Sequence, residues 1–439
     1  MAAPPLLSVS SIIGSMTMNA IGSGIIFAYV PYALTRDEYA PWVAGSMVTA
    51  VAGGGIAGCL IAGPLIRRVG HARIFACFVA LVIISAWLIA LGVHPVAWIA
   101  SRALYGVAMN GMFIVAQSWI NDAAQNEWRG RAMAFFYMAY VIGWGSGAFL
   151  FGQIPAEANL PPLITILFAA LGILPVGLTR LPNPPPPERV TIDIAKAWRT
   201  SPVGMVGVMA AGGLSMLVQG FTPIYAAQNG YGQREVATLL FVMQLGMLGV
   251  QYPLGALSDR IDRRLVLIFA CLIIAGMASV AQAAGLGSFL TVALVFAIWA
   301  GATETIYSVS NAHANDRAGP GDYVPLASAM LIAWSVAAFI FPLTVTAATP
   351  VLGPKAFMYF VIALALAYAA FTALRLRAVQ PVPAVETENF EIMTAQVPNV
   401  TALVNPEAAE GGTGGSPASH APTASQATQN PACPPAKNG

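Results

Sequence analysis

Charge is what this 439-residue chain has least of: 9% of its residues, 20 Lys and Arg against 18 Asp and Glu. Ordinary soluble domains carry about 25%. With 57% hydrophobic residues and a mean hydropathy of +0.72, the chain cannot cover itself with a water-compatible surface. That excludes a soluble enzyme. The alternation of polar and apolar residues that marks an outer-membrane barrel is also missing, because the apolar runs are continuous.

Histidine and cysteine are scarce. His71, His94, His313 and His420 are scattered over loops and tail, so no metal site is expected. Cys59, Cys77 and Cys271 sit inside apolar runs and Cys433 in a polar tail, with no CxxC spacing and no disulfide framework. No phosphate-binding loop and no nucleophile–base pair has its motif context. Neither a cofactor nor enzymatic or ATP-driven chemistry is therefore expected. The net charge of +2 implies no nucleic-acid partner. No basic segment precedes the first apolar stretch, which reads as a retained span and not a cleaved signal peptide.

What is present is length. A helix needs about 20 apolar residues to cross the ~30 Å hydrocarbon core. Twelve stretches qualify: 10–32, 42–64, 74–93, 96–119, 132–154, 161–178, 202–226, 234–256, 266–284, 289–311, 325–348 and 355–375. The pattern predicts an all-α polytopic membrane protein. Residues 1–178 form one six-helix bundle, 179–201 a Pro-rich charged connector, and 202–377 a second six-helix bundle. Residues 378–439, rich in Ala, Pro, Thr, Ser and Gly, are expected to be a disordered tail.

Basic residues set the orientation. With the N-terminus inside, 16 of the 20 Lys and Arg fall on the cytoplasmic side. Only Arg36, Arg234 and Lys355 fall outside, and Arg102 lies within a span. Both termini are therefore expected in the cytoplasm.

The halves echo each other. Span 2 ends Gly63-Pro64-Leu65-Ile66-Arg67-Arg68-Val69-Gly70-His71-Ala72-Arg73, and span 8 ends Gly255-Ala256-Leu257-Ser258-Asp259-Arg260-Ile261-Asp262-Arg263-Arg264. The second loop resembles the G-x-L-[AS]-D-R-x-G-R-R signature of the major facilitator superfamily of secondary transporters. Arg102 to Gly106 resembles its R-x-x-x-G motif, and Glu127-Trp128-Arg129-Gly130-Arg131 its E-x-R-G-R turn. Gln117-Ser118-Trp119, Gly172-Ile173-Leu174-Pro175 and Pro223-Ile224-Tyr225 look most like the bacterial YcaD-like branch. There are departures: Arg67 replaces the acid in the first loop, and Asp262 replaces the second glycine in the other. Span 5 lacks the Gly-Pro pair of drug/proton antiporters.

Two charges stand inside the membrane, Arg102 in span 4 and Glu304 in span 10, spans that occupy the same position in their halves. A buried charge in a bilayer is costly and marks a functional candidate. Helical spacing puts Arg102, Gly106, Met109, Asn110, Phe113 and Gln117 on one face of span 4. Glu304, Tyr307, Ser308 and Asn311 share a face of span 10. Asn19 on span 1, Ser215 and Gln219 on span 7 and Gln244 on span 8 extend a polar, mostly uncharged stripe. Each of these amides could instead simply bond neighbouring helices.

The resemblance implies that spans 1, 4, 7 and 10 line a central cavity worked by alternating access. The expected pathway residues are Asn19, Asn110, Phe113, Gln117, Gln219, Gln244, Tyr307 and Asn311. Glu304 is the expected proton carrier, with Arg102 as its electrostatic partner or a substrate contact. Asp259, with Arg260, Arg264 and Arg131, is the expected cytoplasmic gate. The chain is expected to work as a monomer in a bacterial inner membrane, with a small-molecule substrate, protons and the lipid bilayer as partners. One acid, one base, several amides and nearby aromatics suit a flat aromatic solute such as riboflavin, taken up with protons. Efflux of drugs or metabolites is the alternative, and a non-transporting assembly factor or receptor is the alternative of another class.

Overall fold

The computed structural model describes residues 5–124, 126–156, 159–179, 193–283, 288–319, 323–378 and 393. They form thirteen helices and, among the described residues, no strand. Twelve helices are long and apolar enough to cross a membrane. The first bundle contains α1 (Pro5–Arg36), α2 (Pro41–Val69), α3 (His71–Ala90), α4 (Pro95–Ala123), α5 (Asn126–Phe151) and α6 (Leu160–Leu178). The second contains α8 (Pro202–Gln228), α9 (Gln233–Ser258), α10 (Arg263–Ala283), α11 (Phe289–Asn315), α12 (Tyr323–Leu352) and α13 (Ala356–Ala378).

The extra helix, α7 (Ile194–Thr200), lies in the connector, where the proline run suggested only an irregular link. The run stops at Pro187, and Ile194 to Thr200 contains neither proline nor glycine. Asp193 caps it, its carboxylate accepting the Lys196 N–H at 2.8 Å. Of the expected disordered tail, only Ala378, which ends α13, and Met393 are described; the rest of that expectation lies outside the described residues.

Glycines let inner helices touch backbone to backbone. A Cβ on Gly54 would overlap the Ala103 carbonyl, and one on Gly106 the Val51 carbonyl, which locks α2 to α4. Gly246 meets Ala297, and Gly301 meets Gly246, locking α9 to α11. Gly24 and Gly147 join α1 to α5, and Gly212 seats α8 on the Trp334 carbonyl of α12. These pairs hold equivalent places in the two halves, so the repeat seen in the loops extends to the packing.

The halves meet where α2 faces α12 and α5 faces α9. Several of the contacts that join them lie on the side away from the connector, here the far side. Gln233 donates to the carbonyls of Phe151 (2.6 Å) and Ile154 (2.5 Å). Thr49 and Thr346 hydroxyls lie 3.5 Å apart, and Gly220 packs on Val48.

Candidate functional site

A cavity partly open to solvent lies between the halves. Helices α1, α2, α4 and α5 wall one side, and α8 and α12 the other. Phe27, Tyr105, Phe113, Tyr140, Trp144 and Trp334 give it an aromatic lining, and Asn110, Ser215, Gln219 and Ser335 supply polar groups. None of the described lining residues is charged. On α2 the lining residues Val51, Ala52 and Ile56 follow Thr49 toward the connector side, and on α12 Trp334, Ser335 and Ala338 precede Thr346. The cavity thus starts just connector-side of the Thr49–Thr346 contact.

Rings hold each other in place around it. Phe27 meets Trp144 edge-on at 5.4 Å, and Phe113 meets Tyr140 at 4.9 Å. Trp334 is 7% exposed, and its buried indole N–H has no hydrogen-bond partner.

Of the expected pathway residues, Asn110, Phe113 and Gln219 line the cavity. Gln219 is held from behind: it accepts from Gln244 at 3.2 Å and reaches the Met247 sulfur at 2.9 Å. Asn19 does not line it. Its amide donates to the Ser15 carbonyl at 2.9 Å and packs on Gly172 of α6. Asn311 donates to the Tyr307 carbonyl of its own helix at 2.8 Å. Gln117 and Tyr307 are buried outside the lining set.

The two intramembrane charges do not meet in this conformation. Glu304, 1% exposed, accepts a hydrogen bond from Ser215 at 3.0 Å, and Ser215 is part of the cavity wall. Arg102 belongs to the other half. Its Nη2 donates to the Ser85 hydroxyl at 3.0 Å, and its guanidinium carbon stands 4.7 Å from the centre of the Tyr105 ring. Its Nε and Nη1 have no hydrogen-bond partner.

The sequence pattern of the Major Facilitator Superfamily matches residues 12–342. The chain belongs to this superfamily. It is 24% identical over 340 residues to an uncharacterized MFS-type transporter, YcaD, of Escherichia fergusonii, covering 76% of this chain and 87% of that one. It is 26% identical over 336 residues to YcaD of Salmonella enteritidis, covering 74% and 85%. Among solved structures, a mutant of the nucleoside transporter NupG shares the fold with a TM-score of 0.68 at 9% identity, over 84% of this chain and 100% of that one. A bacterial homologue of the human lysosomal transporter Spinster, inward-facing and unoccupied, gives 0.62 at 14%, over 85% and 97%.

The superfamily's signature loop forms an ionic cluster in the second half. Asp259 pairs with Arg263 at 3.7 Å. Arg263 is the centre, because it also holds Asp316 at 2.7 Å. Arg264 is taken by Asp262 at 2.6 Å and donates to the Arg375 carbonyl at 3.3 Å. Partial burial pushes the Asp262 carboxyl up, but hydrogen bonds and charge from Arg264 outweigh it and hold it below its ordinary value. Arg260 and Arg131 are exposed. In the first half His71 stands where Arg263 does in the second, and its Nε2 lies 3.0 Å from the Ser118 hydroxyl.

Sequence reasoning missed Trp334 and Ser335 on α12. Polar stripes do not reveal them, because a tryptophan in an apolar span gives no polar contrast; the local signal is the Trp-Ser pair itself, on the helix whose Phe339 packs on Gly53 of α2.

Proposed function

We propose that this membrane transporter carries a small organic solute by alternating access and couples it to protons through Glu304. The observation that carries the reading is the Ser215 bridge. The carboxyl sits one 3.0 Å hydrogen bond behind the cavity wall. Protonation of Glu304 reverses what it offers Ser215, from acceptor to donor, so solute and proton read each other through one hydroxyl. Desolvation favours the neutral carboxyl, and wetting of the cavity on one side favours the charged one. A carboxyl that alternates between these carries a proton per cycle.

The aromatic walls and the unpartnered Trp334 N–H support a flat aromatic solute with a hydrogen-bond acceptor on its edge. Riboflavin is the first solute to try. The basic asymmetry of the loops supports cytoplasmic termini, and the reading takes the protein as a monomer in a bacterial inner membrane. The cavity then faces the cytoplasm.

In proteoliposomes, an inside-alkaline pH gradient should drive accumulation of the solute. Glu304→Gln should abolish that accumulation and keep exchange at equal pH. If Glu304→Gln accumulates solute as well as the parent does, the coupling proposal is wrong.

A further inference from the structure

We infer that Arg102 is a binding site for an anionic group on the transported solute, a carboxylate or similar monoanion, which the cycle brings within its reach. The inference rests on the transport reading above and names the substrate class. Arg102, in the early turns of the membrane helix α4, is 3% exposed. A guanidinium buried in apolar surroundings needs a counter-charge or a full set of acceptors. This one has neither. Among the described residues its polar contacts are a single serine hydroxyl and the face of one tyrosine ring, both neutral. Nε and Nη1 have no hydrogen-bond partner; each forms a two-donor edge with Nη2, and Nη2 gives only one of its two hydrogens to Ser85. Among the described residues no carboxylate pairs with it. A planar carboxylate fits the remaining edge with two parallel bonds.

The position fits a solute site. Arg102 lies one turn of α4 beyond Tyr105 and Gly106, which line the cavity, and toward the far side. The Tyr105 ring is what separates the guanidinium from the cavity. The far-side contacts of Gln233 and Thr49 close over this level of the molecule. When those contacts part, the far vestibule reaches the first turns of α4. The anion would then meet Arg102, and the attached ring would lie against Tyr105 and its aromatic neighbours. Closure with an anion in place neutralises the guanidinium; closure without one leaves it bare. That difference favours transit of the loaded carrier.

The test compares benzoate with its neutral isostere benzamide by thermal shift on the purified protein. At roughly ten times its dissociation constant, benzoate should raise the melting temperature by about 2–3 °C, and benzamide should not match it. Arg102→Gln should lose this preference. If that variant does not fold, Ser85→Asp serves instead, because it places a carboxylate beside the guanidinium. It should raise the melting temperature of the free protein and abolish the benzoate preference. Equal shifts for the two probes in the parent, or a preference that survives either variant, would overturn the proposal, as would a destabilised Ser85→Asp. None of these outcomes touches proton coupling at Glu304, which is read in proteoliposomes. A failed anion site would leave a proton-coupled carrier of neutral solutes.

Discussion

Ser215 of α8 donates a 3.0 Å hydrogen bond to Glu304 of α11 while itself facing the central cavity. The hydroxyl is small, buried and able both to give and to accept. In the coupling proposed above, this hydroxyl is the link through which the carboxyl, set one side chain back from the cavity, would respond to what fills it.

Ser215→Ala should therefore weaken coupling more than binding. A hydrogen bond to a charged group is worth about 1.5–3 kcal/mol. The pH-driven accumulation ratio should fall roughly tenfold or more, with exchange at equal pH largely retained. Parallel flux assays in proteoliposomes decide it, and an equal loss in both would mean that Ser215 simply binds solute.

Gln233→Ala removes both bonds to the Phe151 and Ile154 carbonyls. At about 1 kcal/mol each, the population should move roughly tenfold or more toward the far-open state. In a background with the native cysteines replaced, a cysteine at Ser335 should be labelled several-fold more slowly by an impermeant maleimide added on the connector side. Unchanged labelling would show that the far-side clamp does not set the resting state.

Gly54→Ala should be poorly tolerated, because the new methyl would overlap the Ala103 carbonyl of α4. Overpacking of this kind costs about 1–3 kcal/mol. Gly276→Ala is the control, since a Cβ there meets nothing within 4 Å. Melting temperatures in detergent should fall for the first and hold or rise for the second.

The ionic cluster should give an acid-sensitive increment of stability. The Asp262 carboxyl is held below its ordinary value of 3.8 despite partial burial, chiefly by Arg264. A carboxyl depressed in the folded state adds stability that is fully present above the unfolded value and is lost as pH falls through the folded one. The contribution is about 1 kcal/mol at most for a partly exposed pair. Asp262→Asn should lower the melting temperature at pH 7 and leave it nearly unchanged at pH 3. An equal loss at both values would assign the effect to packing.

Hydropathy located all twelve spans because membrane length is a one-dimensional constraint, and each helix begins and ends within several residues of its apolar run. The polar stripes were less informative. Spacing says that Asn19 shares a face with other polar residues of α1, but not that this face meets Gly172 of α6. Gln219 and Gln244 looked alike in sequence, yet one lines the cavity and the other braces it. Their places on equivalent helices of the two halves made Arg102 and Glu304 look like partners. Each is instead enclosed by helices of its own half, and rigid packing keeps a buried side chain where it is. Arg263 was overlooked as the centre of its cluster because its second partner, Asp316, lies 53 residues away.

The glycine contacts that join α2 to α4 and α9 to α11 govern how force travels through the molecule. Side chains between helices can yield by changing rotamer; a carbonyl seated on a bare Cα cannot. Each half therefore acts as a lever of fixed shape, with its compliance concentrated along the α2–α12 and α5–α9 seams. In the alternating-access cycle proposed above, a displacement at the far ends would be carried to the connector ends, and a leak open to both sides at once would require breaking the contacts that hold a half together.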